Sequence, residues 1–362
     1  MDLDFNEEQE LLRATVRRIC ETSFDSAAVR KLEGERDKLD RAFWAALGES
    51  GICALRIEER HGGAQMGALN LAIVFEEFGQ VLASSPFLQS AVHAADILSA
   101  VGSEDLAAEW LPKIAGGEVI VIPAWQEDEL REAARPSHFD SASRTVSGTK
   151  MVVPFASVAD AFLVRAATES GAGWALIPAQ SDGIVITEQP NYASQPLFEV
   201  RFDHVHVAEG HFWPAAENSA LSDDVLIAAA AEAVGAATRL LKITADYANQ
   251  RKQFGRPIAG FQAISHPLAD CATELEGVRY LTYQAAWAKD EGQDCAHLAR
   301  MAKYSAAALF RRLATVAVQV HGGIGYSTEG EPQLFYRRSK YHELMYGTAA
   351  GLKKSIADHV LS

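Results

Sequence analysis

One short run, Arg251-Lys252-Gln253-Phe254-Gly255-Arg256-Pro257-Ile258-Ala259-Gly260-Phe261-Gln262, crowds cations, amide side chains and flat rings between two helical stretches. Arg251 can neutralise a phosphate by charge-assisted hydrogen bonding. Gln253 and Gln262 can donate and accept at the edges of adenine or ribose, and Phe254 offers a flat apolar face. Further along, Gln319-Val320-His321-Gly322-Gly323 adds another amide and two glycines, where backbone free of side chains can approach a ligand closely. The combined chemistry is that of a bound nucleotide cofactor. Taken alone, the first run also reads as a plain connecting loop, with Phe254 and Phe261 in the core and its arginines in solvent.

The surrounding chain must position these groups. Asn6 followed by Gln9 forms a capping-box pattern, and Leu11, Leu12, Val16 and Ile19 then recur at helical spacing. Asp40 can cap a helix carrying Phe43, Trp44 and Leu47, His61-Gly62-Gly63 marks a sharp loop, and 69–81 and 91–101 continue the helical pattern. The texture changes near residue 117. Short β-branched runs at 119–122, 151–153, 161–164 and 183–186, punctuated by Gly, Ser, Asp and Asn, predict a small antiparallel β domain whose last strand is 203–207. Beyond Ser222 the pattern is helical again, and 228–237 is nearly all small and apolar, which lets helices pack closely on several sides. The expected domains are therefore 1–115 (α), 116–217 (β) and 218–362 (α).

Bulk properties exclude several classes. At 362 residues the chain is longer than one hydrophobic core usually supports. Its 48% hydrophobic and 22% charged content is that of a soluble globular protein. A formal charge of −15 opposes binding to nucleic acid or an anionic membrane through a broad basic field, so a few local arginines must meet any anionic ligand. Cys20, Cys53, Cys271 and Cys295 are widely spaced without a CxxC pair, and read as reduced core thiols of a cytoplasmic protein. The start, Met1-Asp2-Leu3-Asp4-Phe5, has no secretory-signal pattern, and no apolar run is long enough to span a bilayer. No His, Cys, Asp or Glu cluster has metal-ligand spacing, the nearest being His204-x-His206, read as an outward-facing strand pair.

Tyr247 with Arg251-Lys-Gln-Phe-Gly-Arg, then Phe261-Gln262-Ala263 and Leu268-Ala269-Asp270, at matched distance from Gln319-Val-His-Gly-Gly-Ile-Gly-Tyr326, resembles the acyl-CoA dehydrogenase family. Weaker echoes lie in Phe5-Asn6-Glu7-Glu8-Gln9, Glu59-Arg60-His61-Gly62-Gly63 and Gly148-Thr149-Lys150. The resemblance implies an α+β fold: an N-terminal helical domain, a central antiparallel β domain and a C-terminal four-helix bundle. It implies FAD as cofactor, an acyl-CoA thioester as substrate, and an electron-transfer flavoprotein as electron acceptor. It also implies a homo- or hetero-oligomer in which flavin sites are shared between subunits. Arg251, Gln253, Phe254, Gln262, Gln319, Gly322 and Gly323 then serve the adenosine and pyrophosphate half reaching in from a neighbour, and Thr348 is available for flavin contact.

The half that holds a subunit's own flavin departs from the family pattern. A Thr-Glu-Pro strand ending in Gly-Ser-Asp is expected where the chain reads Ala124-Trp125-Gln126-Glu127-Asp128, and Trp-Ile-Thr where it reads Val152-Val153-Pro154-Phe155. Pro154 also lacks a backbone donor. Many members carry a glutamate before Gly-Thr that removes the α-proton; here Tyr346 precedes Gly347-Thr348. A tyrosine with a pKa of about 10 is phenolate in roughly one molecule per thousand at neutral pH, and losing a positioned base costs about 10² to 10⁴ in rate. Where other members place the base on the first long C-terminal helix, this chain has Val225, just after Asp223 and Asp224. Asp224 is the candidate substitute, or with Asp223 it complements a helix dipole. Glu232 is a second candidate base, or a partner for an arginine such as Arg279; Glu343, three residues before Tyr346, either shares a helix face with it or is a solvated surface acid. Arg337-Arg338 reads as charge on the final helix rather than as a CoA-phosphate site. These features fit an acyl-CoA dehydrogenase subunit lacking the usual base in a hetero-oligomer, similar to the small subunit of pimeloyl-CoA dehydrogenase. A self-sufficient enzyme with a relocated base, and a flavin-dependent oxygenase or oxidase on the same fold, are the alternatives.

Overall fold

The computed structural model describes residues 4–101, 103–127, 136–169, 171–215 and 221–361. Met1 to Leu3 and Asp128 lie outside the described residues. The chain begins with helices α1 (Glu7–Ser23), α2 (Ser26–Glu33), α3 (Arg41–Glu49) and α4 (Ala68–Val81), then α5 (Ala95–Val101) and α6 (Glu104–Ala115). Strands β1 (Val121–Ala124), β2 (His138–Asp140), β3 (Thr145–Pro154) and β4 (Ala161–Thr168) follow, with β5 (Gly171–Pro178), β6 (Ile184–Glu188), β7 (Leu197–His206) and β8 (Phe212–Ala215). The last part holds α7 (Asp223–Gln250), the short strands β9 (Lys252–Gln253) and β10 (Arg256–Pro257), and α8 (Gln262–Asp290). It ends with α9 (Ala296–His321), α10 (Gly323–Tyr326), α11 (Pro332–Leu344) and α12 (Ala349–Leu361). Helices, then a sheet, then helices is the α+β order expected from the sequence. Contacts gather the chain into two compact units, one of Met1–Arg30, Gly67–Ala83 and Asp223–Ser362, the other of Lys31–Met66 and Ser84–Ser222.

In the second unit, Asp40 Oδ1 accepts from the amides of Ala42 and Phe43 at 2.9 and 3.0 Å and starts α3, as its position before Phe43 and Trp44 predicts. The sheet runs β6-β7-β3-β2-β4-β5-β8, with β1 also pairing β4. Most pairs are antiparallel, but β1 and β2 both run parallel to β4, and a further strand, β8, pairs with β5 beyond the expected last strand. β8 escaped the sequence pattern because Phe212-Trp213-Pro214-Ala215 is short and carries a proline, which weakens a strand signal. His204 and His206 are exposed, matching the outward-facing reading. The stretch from 91 to 101 opens differently from an ordinary helix: Leu88–Ala94 is π-helical and only then passes into α5.

In the first unit, the capping box at the start of α1 forms as predicted. Asn6 Oδ1 accepts from Gln9 N–H at 2.9 Å, and Gln9 Oε1 accepts from Asn6 N–H at 3.0 Å. Helices α7, α8, α9 and α11 make the C-terminal bundle, with α4 across α7 and α12 along α9. The small residues of α7 allow a very close crossing. A Cβ on Gly79 of α4 would collide with the carbonyl of Glu232, and one on Gly235 of α7 would collide with the carbonyl of Glu76. Buried acids on α4 then find arginines: Glu77 takes Arg13 at 3.1 Å and Arg17 at 2.7 Å, and Glu76 takes Arg279 at 3.1 Å and the Tyr283 hydroxyl. All four cysteines are free and buried. Among the described residues no helix is long and apolar enough to cross a membrane.

Candidate functional site

The run that begins at Arg251 folds as a hairpin rather than a plain loop. Arg251 N–H continues α7 by donating to Tyr247 O at 2.8 Å, and Ile258 N–H donates back to Arg251 O at 2.8 Å. Lys252 and Gln253 pair with Pro257 and Arg256, leaving Phe254 (φ 51°) and Gly255 (φ 79°) at the tip. Two positive φ values are what a two-residue hairpin turn matched to strand twist demands. Glycine meets that demand freely, whereas a phenylalanine there costs roughly 1–2 kcal/mol. Phe254 is 92% exposed, so the reading that buries it in the core does not hold. Phe261 is half-buried under the Arg256 guanidinium, 4.1 Å above its ring.

The two sequence blocks meet at one end of the bundle. The Tyr247 ring stacks on His321 at 4.2 Å and 23°, tying the last turns of α7 and α9 together. His321 is buried and its Nδ1 lies 2.8 Å from Ala317 O, a role in holding backbone, as expected from its place before two glycines. Burial pulls its pKa down, partly offset by that hydrogen bond. Gly322 then turns with φ 63°, and a Cβ on Gly322 or Gly323 would meet nothing, so backbone faces open space there. Arg251, Gln253, Gln262 and Gln319 are exposed at this end, and Arg251 and Lys252 have no ion-pair partner among the described residues. Cations, amides, a flat ring and bare backbone thus share one open surface.

Asp224 and Thr348 lie elsewhere. Asp224 opens α7 while Arg251 follows its end, a separation of about 40 Å at 1.5 Å per residue. Asp224 is 2% exposed, and its carboxylate lies 3.5 Å from Lys289 Nζ. Asp223 accepts from the Cys295 thiol at 3.5 Å, and Val225 is buried. Thr348 stands just before α12, where its hydroxyl accepts from Gly351 N–H at 3.3 Å. The adjacent Gly347 carbonyl accepts from Lys303 Nζ at 2.7 Å, near the opposite end of α9 from Gln319. Burial lowers the Lys303 ammonium to about 8.

Tyr346 sits off the helix, because α11 ends at Leu344 and Met345 is extended. Its backbone is left-handed at φ 58° and its side chain is buried. The phenol is hydrogen-bonded to Tyr341, whose own pKa burial pushes up to about 12. Glu343 does not share a face with Tyr346: it pairs with Lys340 at 2.7 Å and Arg311 at 3.8 Å.

Glu232 occupies a polar cluster that sequence reasoning assigned to the wrong arginine. Arg279 belongs to Glu76; the neighbours of Glu232 are Arg338 Nη1 at 3.7 Å and His342 Nε2 at 3.8 Å. Arg338 is buried rather than charging a surface, and donates to the carbonyls of Leu82 and Ala83 at 3.1 and 3.3 Å, covering the open end of α4. Desolvation lifts the Glu232 carboxyl to about 7 against the pull of Arg338. Burial, then Arg338 and Lys303, depress His342 to about 3, so this imidazole is neutral at pH 7. Arg338 and His342 stand four residues apart on α11, the helical spacing that puts both on one face. That spacing was the available sequence signal.

Comparisons with known proteins follow the same lines. The family description "Acyl-CoA dehydrogenase, N-terminal domain" matches residues 6–118, and "Acyl-CoA dehydrogenase, C-terminal domain" matches residues 227–361. Acyl-CoA dehydrogenase FadE27 of Mycobacterium tuberculosis is 30% identical over 351 residues, covering 93% of this chain and 94% of that protein. A chain in the crystal structure of the ChsE4-ChsE5 complex from Mycobacterium tuberculosis superposes with a TM-score of 0.93 at 29% identity, covering 100% of this chain and 99% of that one. A variant of the Tcur3481-Tcur3483 steroid ACAD gives a TM-score of 0.87 at 27% identity over 98% of each chain. The hairpin, the glycine turn and the α-β-α order therefore have one common explanation: the chain belongs to the acyl-CoA dehydrogenase family of flavin-dependent oxidoreductases.

Proposed function

We propose that this chain is one subunit of a hetero-oligomeric acyl-CoA dehydrogenase and lends its hairpin and glycine turn to the adenosine and pyrophosphate end of an FAD held by a partner subunit. The observation that carries this reading is the contrast between the two ends of the bundle. Phe254 is 92% exposed on a strained turn beside exposed Arg251 and Gln253, while Tyr346 is buried and bonded to Tyr341. An exposed ring held in an unfavourable backbone conformation suits a surface that another chain covers.

The residues present fit the outer half of the cofactor. Arg251 would neutralise a phosphate. Phe254 would lie against adenine, Gln253, Gln262 and Gln319 would reach adenine or ribose edges, and Gly322 and Gly323 would admit the backbone to the pyrophosphate. When bound, the flavin supplies the acceptor for the hydride leaving the acyl β-carbon. This chain's own residues offer little toward the α-proton: the Tyr346 phenol is engaged by Tyr341, and the ion pair with Lys289 supports a structural role for Asp224 over that of a relocated base. Thr348 is left for a flavin contact. The partner subunit would bring the carboxylate base, and electrons would leave through an electron-transfer flavoprotein. The likeness to the steroid ACAD supports an acyl-CoA with a bulky, sterol-derived acyl group as substrate.

Co-expression with a neighbouring dehydrogenase-like subunit, followed by measurement of flavin per chain and bleaching by acyl-CoA, tests the reading. This chain alone should retain little flavin and show no bleaching, and the pair should show both. One flavin per chain with turnover in the isolated protein would refute it, and oxygen consumption without an external acceptor would point to an oxidase instead.

A further inference from the structure

The start of α9 and the last helix, α12, bring together three side chains that no part of the dehydrogenase chemistry uses. Asp294, His297 and His359 each offer a ligand atom, and these atoms lie within 4.8 Å of one another. The imidazoles of His297 and His359 are stacked, with centroids 4.3 Å apart and planes 8° from parallel. Asp294 Oδ1 accepts from Ala296 N–H at 3.2 Å, which fixes the carboxylate against the first turn of α9 and leaves its other oxygen for a ligand. Nδ1 of His297 is buried and has no hydrogen-bond partner among the described residues. A buried ring nitrogen left without a partner costs free energy, and such groups call for a specific explanation. A metal ion supplies one, because a coordinated nitrogen no longer needs a hydrogen bond.

We propose that Asp294, His297 and His359 form a divalent transition-metal site, of the zinc type, that clips α12 to the start of α9. Two imidazole nitrogens and one carboxylate oxygen suit zinc, nickel or cobalt, whereas calcium and magnesium prefer all-oxygen shells. With one imidazole turned out of the stack so that both ring planes meet at the ion, these ligand atoms can close onto it at about 2.0–2.2 Å, leaving a fourth position for water. The sequence hid the site because Asp294-x-x-His297 is a weak pattern on its own and His359 arrives from the far end of the chain. The site acts on the C-terminal helix and is independent of the assignment of the chain as a dehydrogenase subunit.

The test uses the full-length protein, stripped with chelator and titrated with zinc by calorimetry, with the thermal midpoint followed in parallel. One zinc per chain should bind, reversed by chelator, and the midpoint should rise, while calcium and magnesium leave both unchanged. His359→Ala, an exposed position near the chain end, should fold normally and lose zinc affinity at least tenfold, about what removing one of three ligands implies. His297→Ala should behave the same way. Absence of saturable zinc binding, or binding by both histidine variants as tight as that of the native protein, would overturn the site.

Discussion

Glu232→Gln should unmask a pH dependence that the native protein conceals. The Glu232 carboxyl rises from 4.5 to about 7, so protonation is favoured by the fold. Its contribution to stability is fully present below pH 4.5 and is lost as pH rises through 7. At 1.36 kcal/mol for each unit, the whole effect is about 3 kcal/mol, on a side chain only 15% exposed. His342 has the opposite sign. Depressed from 6.5 to about 3, it contributes stability that is present above pH 6.5 and lost as pH falls through 3. Between pH 4.5 and 6.5 the unfolded chain binds a proton at His342 that the native state refuses, while the native state holds one at Glu232 that the unfolded chain has released. The two slopes, each about 1.4 kcal/mol per pH unit, cancel there. Glutamine removes one slope and leaves the other, because the groups that depress His342 are burial, Arg338 and Lys303 rather than Glu232. The free-energy gap between variant and native protein should therefore shift by roughly 3 kcal/mol between pH 6.5 and 4.5, the variant weakening on acidification. Urea unfolding followed by far-ultraviolet circular dichroism at both pH values measures it, and taking the difference between the two proteins cancels every other titrating group. Parallel stability profiles would mean that Glu232 titrates as an ordinary surface acid, and the account of the cluster would be wrong.

Other outcomes are equally direct. Gly235→Ala should destabilise the protein by about 1–3 kcal/mol through its clash with the Glu76 carbonyl, whereas Gly277→Ala, with open space around it on α8, should raise the thermal midpoint by the equivalent of about 1 kcal/mol. Arg251→Ala and Phe254→Ala should leave the unfolding midpoint unchanged, and on the proposed subunit role Arg251→Ala should weaken flavin retention by the co-expressed pair about tenfold or more, the effect of losing one charge-assisted phosphate contact. Asn6→Ala should cost about 1 kcal/mol and speed amide exchange in the first turn of α1.

What could be read from the sequence was mostly what is decided locally. The Asn6 and Asp40 caps depend on residues two or three positions away, and both formed as predicted. The small residues of α7 announced close packing, and the crossing through Gly79 and Gly235 realises it. The Arg251 and Gly322 blocks announced a shared surface, although the Tyr247 to His321 stack that joins them is a long-range contact no spacing reveals. Partner choice was the weak point. Glu232 had several arginines within plausible reach on paper, and only the packing of α11 selects Arg338 and gives Arg279 to Glu76. Left-handed backbone at Phe254 and Tyr346 was equally hidden, because neither residue type favours it, and it decides which ring faces outward and which is buried.

The close crossing of α4 and α7 also bears on how the chain reaches its native state during synthesis. Helices α1 and α4 leave the ribosome early, but α7, which closes over Glu76 and Gly79 of α4, is made only after strands β1 to β8. Glu77 can meet Arg13 and Arg17 at once; the glycine seam with α7 must wait. Closing so long a loop is slow, and for that interval an apolar helix face stays unpartnered on a nascent chain. Chains released before Asp223 should therefore be held by chaperones or aggregate, which makes late completion of the bundle, rather than formation of the sheet, the step at which yield of this protein is decided.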